Sequence, residues 1–159
     1  MYKILFLLII PFFFISCSSK NNAFKYFEKD EIATKGVQYT KKTDILKNKE
    51  VEVIFWATYL NKIDKEISKS NEDLFLVSLY FADKESQDIF ENGYSFLLNG
   101  IEPISMQKVE KDNENFNSLM LKNNWGNYYL VKFTAQNNSN LALKLKNESV
   151  SSAQLNFEK

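Results

Sequence analysis

The chain has no histidine, one cysteine and, since every basic residue is lysine, no arginine. Each absence closes a class of chemistry. Without imidazole there is no side chain that ordinarily exchanges protons near pH 7, and the commonest ligand for transition metals is missing. A single thiol forms neither an internal disulfide nor a cysteine-rich zinc site. Without guanidinium the planar, two-pronged grip on phosphate or carboxylate is unavailable. Only four glycines and two prolines occur, and neither a glycine-rich phosphate loop nor a Gly-x-Ser-x-Gly elbow is present. Basic and acidic residues number 20 each, for a net charge of zero, a balance that attracts no nucleic acid. No metal or cofactor is expected. Carboxylates, lysine, tyrosine and serine are the catalytic groups that remain.

What is present begins with an uncharged apolar run over residues 4–15, preceded by Lys3 and followed by Ser18-Ser19-Lys20-Asn21-Asn22. A bilayer-spanning helix needs about 20 apolar residues; the run has the length of a signal-peptide core. It ends in Phe13-Phe14-Ile15-Ser16-Cys17, which resembles the lipobox of bacterial lipoproteins, where a small residue precedes an invariant cysteine. Phe14 stands where that family most often has leucine. The resemblance covers the leader alone. It implies cleavage between Ser16 and Cys17 and a diacylglyceryl group on the Cys17 sulfur, so that the partner of the mature protein is the membrane itself. Each buried methylene contributes about 0.8 kcal/mol, so two or three acyl chains hold a protein at a bilayer. The implied location is the cell envelope. Ser18, where the family places aspartate for inner-membrane retention, points to the periplasmic face of the outer membrane in a cell with two membranes. The competing readings of the leader are a transmembrane helix and a secreted protein with an incidental cysteine.

The expected organisation is a signal peptide over residues 1–16, a lipidated cysteine and polar tether over 17–22, a short helical segment over 23–36 and a β-sandwich domain over 37–159. One domain is all that 159 residues accommodate after a leader is removed. For the helix, Asn22 offers an N-cap, Gly36 a stop, and Phe24, Phe27 and Ile32 an apolar stripe. The expectation is a lid packed on the sheet; a membrane-surface helix is the alternative, disfavoured by Glu28, Asp30 and Glu31.

Downstream the pattern has period two, the mark of strands. Strands are predicted over residues 38–46, 51–60, 73–82, 94–98, 101–109, 125–135, 141–145 and 153–157. A short helical turn is predicted over 84–92, capped by Asp83 and ended by Gly93. Asn99-Gly100 is the strongest turn signal, since both residues tolerate positive φ and close a two-residue hairpin. Pro103 in the returning strand argues for a sheet edge. Eight strands with short connections and no βαβ spacing predict an all-β fold, an antiparallel two-sheet sandwich of immunoglobulin-like type with a short N-terminal helix.

Chemical motifs are few. Ser105-Met106-Gln107-Lys108 matches a Ser-x-x-Lys pattern, but on a strand residues three apart point to opposite faces. Asp112-Asn113-Glu114-Asn115 lacks the glycine and distal glutamate of a calcium loop. The acidic residues of 64–72 and 110–114 read as solvated surface. The aromatics are more informative: Trp56, Tyr80, Trp125 and Tyr128 lie in or beside strands that are apolar on both faces, and only one face can point between the sheets. The other is covered by residues 23–33 or forms a patch for a partner, an envelope protein or a glycan. The expected function is a noncatalytic, lipid-anchored envelope module that binds or supports an assembly. A small hydrolase using two carboxylates and a carrier of apolar molecules, which needs a cavity of a few hundred Å³, are the alternatives.

Overall fold

Alternating side chains on β-strands point to opposite faces, and the alternation of this chain resolves into two sheets. The computed structural model describes residues 23–63, 71–120, 125–148 and 152–159, with side chains from residue 31 onward. The leader, its Ser16 and Cys17, the tether, Asn22, and the side chains of Phe24 and Phe27 lie outside that description. Helix α1 (Ala23–Gln38) precedes β1 (Thr40–Lys47), β2 (Glu50–Tyr59), β3 (Glu72–Phe81), β4 (Tyr94–Leu98), β5 (Ser105–Val109), β6 (Asn127–Thr134), β7 (Asn140–Asn147) and β8 (Ser152–Glu158). One sheet has the order β1-β2-β3-β6-β5 and the other β4-β7-β8, and every adjacent pair is antiparallel. The protein is an all-β, two-sheet sandwich with one short helix. From β2 to β8 the strand order is that of a constant-type immunoglobulin domain, with β1 added outside β2. No helix among the described residues is long and apolar enough to cross a membrane.

The inward faces make an aromatic core. Phe75 of β3 lies at its centre, with ring centroids 5.0 Å from Tyr59, 5.2 Å from Phe157 and 6.0 Å from Phe133. Phe55, Phe81 and Phe96 are likewise fully buried. Each such ring stabilises the fold by about 1.5–3 kcal/mol through burial, and tilted or edge-on pairs add about 0.5–1.5 kcal/mol. A smaller apolar cluster sits on the opposite face of the five-stranded sheet, built from Leu60, Ile63, Leu74, Leu76, Val109, Met120 and Tyr128.

Three expectations need correction. The helix does not stop at Gly36 but runs to Gln38, with the Tyr39 amide donating to the Lys35 carbonyl at 2.9 Å. A helical glycine costs only about 1 kcal/mol, and here the missing Cβ serves packing: one built at Gly36 would lie 2.6 Å from Leu119 Cδ2. Ile32 of the expected apolar stripe is exposed.

Residues 84–92 form turns rather than a helix. Asp83 sits at φ +56°, not the extended backbone of an N-cap, while Asp88 Oδ1 accepts from the amides of Phe90 at 2.8 Å and Glu91 at 3.3 Å. Gln87 uses its side-chain amide as a strand would, accepting from the Phe81 N–H and donating to its carbonyl, both at 2.8 Å. That pairing holds the segment against the end of β3.

The Asn99-Gly100 turn forms, at φ +50° and +86°, and Leu98 and Ile101 exchange two hydrogen bonds of 2.9 Å. The next residues do not return along β4. They cross to the other sheet, where β5 pairs with β6 at the edge. Continuing the hairpin would set Pro103 opposite Phe96 at a hydrogen-bonded position, and proline has no amide hydrogen to give.

The β1–β2 turn carries Asn48 at φ +53° and Lys49 at φ +73°. A left-handed lysine costs about 1–2 kcal/mol that glycine does not incur. Lys49→Gly is expected to raise stability by about 1 kcal/mol, read as a higher midpoint in urea unfolding at unchanged slope.

Candidate binding cleft

The outer face of the five-stranded sheet is where the second apolar set of each strand must go. Strand register places Lys42, Trp56, Ser78, Tyr128 and Val109 in one row across β1, β2, β3, β6 and β5. Thr40, Thr58, Leu76 and Leu130 form the next row. Between Trp56 and Tyr128, whose Cα atoms are two interstrand spacings or roughly 10 Å apart, stands only the small Ser78. That difference in size opens a depression in the sheet. The last turns of α1, through Ala33, Gly36 and Val37, and the segment Ser118, Leu119 and Met120 rise on its sides. The result is a cleft of about 470 Å³ with mostly apolar walls.

A short relay of hydroxyls fixes one wall. The Thr40 hydroxyl donates to the Gly36 carbonyl at 2.5 Å, and the Thr58 and Thr40 oxygens are 2.6 Å apart. With Thr40 committed as donor to the helix, Thr58 supplies the proton between the two threonines. A helix-terminal carbonyl is thereby satisfied, and the end of α1 is held over β1 and β2. The Tyr59 amide reinforces it by donating to the Tyr39 carbonyl at 3.1 Å.

The floor has no such satisfaction at its centre. Ser78 is 3% exposed, and its Oγ has no hydrogen-bond partner. An unsatisfied buried hydroxyl costs about 1–3 kcal/mol. At the rim, Lys42 Nζ lies 3.2 Å from Asp44 Oδ1 and 5.5 Å from the centre of the Trp56 ring. Among the described residues Lys41 and Lys42 are the charged ones that line the cleft, and no carboxylate does.

Of the four aromatics singled out from the sequence, the structure brings two together here. Trp56 forms the floor, and Tyr128 joins it with only 3% of its surface exposed, so it serves as buried lining and not as part of an open patch. Tyr80 is half-buried on the same face, opposite Ile54 and away from the cleft. Trp125 precedes β6 and is 71% exposed. Sequence reasoning missed Ser78, although it is the polar interruption in the outward set Leu74, Leu76, Ser78, Tyr80. The contribution of residues 118–120 had no local signal.

A second, smaller hollow of about 200 Å³ contains Glu72 and Asp73 beside Tyr59, Asn61, Lys62, Ala135 and Lys159. Asp73 is 1% exposed and fully engaged: Oδ1 accepts from the Tyr59 hydroxyl at 2.7 Å and lies 3.0 Å from Lys159 Nζ, while Oδ2 accepts from the Gln136 amide at 2.7 Å. Glu72 pairs with Lys132 at 3.9 Å. Among the described residues no three metal-ligating side chains cluster. Ser105 and Lys108 lie on β5 three residues apart, on opposite faces.

Comparisons of the chain with family models, with curated proteins and with solved structures find no match.

The Asp73 cluster has measurable consequences. Asp73→Ala leaves the Tyr59 hydroxyl, the Gln136 amide and the Lys159 ammonium without their shared acceptor. A loss of about 3 kcal/mol is expected in denaturant unfolding. Burial, then the hydrogen bond to Asp73 and its negative charge, push the Tyr59 phenol well above its ordinary pKa. Burial also raises Tyr129, with Asp88 adding to it against hydrogen bonds from Ile89 and Asn127. A raised folded-state pKa gives stability that is intact below the unfolded value of about 10 and lost as pH rises beyond it. Stability should therefore fall above about pH 10, and the fall should be shallower in Tyr59→Phe, as followed by circular dichroism in an alkaline titration.

Proposed function

We propose that this chain is a lipid-anchored protein of the cell envelope whose sandwich is a noncatalytic binding module, with the cleft above β3 as its site. The single observation that carries the binding reading is the apolar cleft of about 470 Å³ floored by a buried hydroxyl without a partner. Small-molecule sites are typically concave, mostly apolar and about 300–1,000 Å³, with a few polar groups that orient the ligand. The volume favours a small apolar ligand over an envelope protein or a glycan at this face. The carboxylate best placed for hydrolytic work, Asp73, has both oxygens occupied by structural partners, which supports a noncatalytic body.

The anchor rests on the leader. The apolar run of residues 4–15 and the Ser16-Cys17 junction support cleavage there and acylation of Cys17, and Ser18 supports the outer membrane in a two-membrane cell. Cys17→Ser is expected to abolish incorporation of a fatty-acid analogue in growing cells; undiminished labelling would remove the anchor from the proposal. The cleft is tested separately. The full chain in lipid nanodiscs is expected to bind a fluorescent apolar probe saturably, and Ala33→Trp, which fills the cleft from the helix side, should suppress that binding at unchanged far-ultraviolet dichroism. Equal binding by both proteins would place the ligand elsewhere.

A further inference from the structure

We infer that the cleft accepts a single-chain carboxylate amphiphile, a fatty acid or a close analogue. The chain lies on the apolar walls, and the carboxylate meets the Ser78 hydroxyl and the Lys42 ammonium. The inference rests on the reading of the cleft as a binding site and adds the chemical class of its ligand.

The walls set the body of the ligand. Ala33, Leu76, Leu119 and Met120 present aliphatic surface, and Trp56 and Tyr128 present rings. The unbranched thioether side chain of Met120 adapts to a flexible chain better than rigid lining does. The polar groups set the head. Ser78 and Lys42 flank Trp56 in one cross-strand row. An ammonium only donates, and a hydroxyl left over in an apolar floor has its proton to give. The Ser78 oxygen has no partner, and among the described residues no acidic side chain lines the cleft to serve as acceptor. A carboxylate brings two oxygens with about four acceptor positions. A cationic head would meet the Lys42 ammonium, and a bare alkane would leave Ser78 unpaired.

Lys41 directs its ammonium towards the Phe157 ring, 5.6 Å from its centre, so Lys42, 3.2 Å from Asp44 Oδ1, is the lysine placed to meet the head. A carboxylate carries one negative charge and a phosphate monoester about 1.5–2 at neutral pH, and a single ammonium already shared with Asp44 matches the smaller charge.

The test uses the full chain in lipid nanodiscs and four photoactivatable probes that share one dodecyl chain bearing a diazirine, with carboxylate, alcohol, trimethylammonium or phosphate heads. The carboxylate probe is expected to label peptides containing residues 33–42 and 118–120, and unlabelled dodecanoate should compete while dodecanol should not. Ser78→Ala and Lys42→Met should each weaken apparent affinity for the carboxylate probe about ten-fold. Ser78→Ala should do so with an unfolding midpoint equal to or above the parent's, because it removes an unsatisfied buried hydroxyl; that combination separates a lost ligand contact from a damaged fold. Labelling of Ser78→Ala equal to the parent's overturns the inference. Labelling of the cleft by the alcohol, ammonium or phosphate probe in preference to the carboxylate also overturns it but leaves the cleft as a binding site. No cleft labelling by any of the four removes both.

Discussion

Burial of β3 on both of its faces is the constraint on which the rest of the molecule depends. From Asp73 to Leu79 every residue of this strand is buried, and β2 and β6 pair along its two edges. Phe75, Val77, Leu79 and Phe81 point between the sheets, where the strands β4, β7 and β8 close the sandwich core. Leu74, Leu76 and Ser78 point the other way, where an uncovered sheet would expose a wide apolar surface. A two-sheet sandwich buries one face of each sheet, so this sheet needs a further cover. The end of α1 and the segment ending at Met120 supply it.

The cover fits closely at one end and leaves space at the other. Leu60, Ile63, Leu74 and Met120 pack together, and the close approach of Leu119 to Gly36 brings helix and loop into contact. Over Ser78 the sheet floor drops between two aromatic neighbours, and the walls stand on either side of the gap. The site is therefore a product of unequal side-chain volume along one cross-strand row. A leucine at position 78 would continue the apolar set of β3 and fill the floor; serine leaves both a hollow and a hydroxyl. Proteins seldom leave a buried polar atom without a partner, and a ligand that brings an acceptor is the simplest completion.

Three polar side chains elsewhere in the sandwich are tied off, in contrast with Ser78. Asp73 closes the end of β3 against Tyr59, Gln136 and Lys159. Asn61 accepts from the Leu74 amide and donates to the Glu72 carbonyl, both at 2.8 Å. Asn99 accepts from the Ala142 amide at 2.8 Å and so fastens the β4 turn to β7. Each of these side chains substitutes for backbone pairing where a strand ends. The same logic explains why residues 84–92 are not a helix: Gln87 already satisfies the backbone of Phe81, and that pairing holds the segment in an irregular path.

The sequence by itself determined the strands, the antiparallel two-sheet class, the Asn99-Gly100 turn and the edge position of the strand after Pro103. Those features follow from side-chain period, positive φ and a missing amide hydrogen, all of which act within a few residues. It also exposed the two-sided apolar character of β2 and β3, and with it the demand for a cover. Tertiary structure alone decided what that cover is and what it leaves open. The pairing of Trp56, Ser78 and Tyr128 in one row depends on register between strands far apart in the chain. The wall at residues 118–120 comes from a segment whose composition reads as loop, and Trp125, before β6, and Tyr80, one row further along the same face, stand outside the ground that the helix end and that segment enclose. Local chemistry sets which residues must be hidden; only long-range packing settles which of them meet around an empty space.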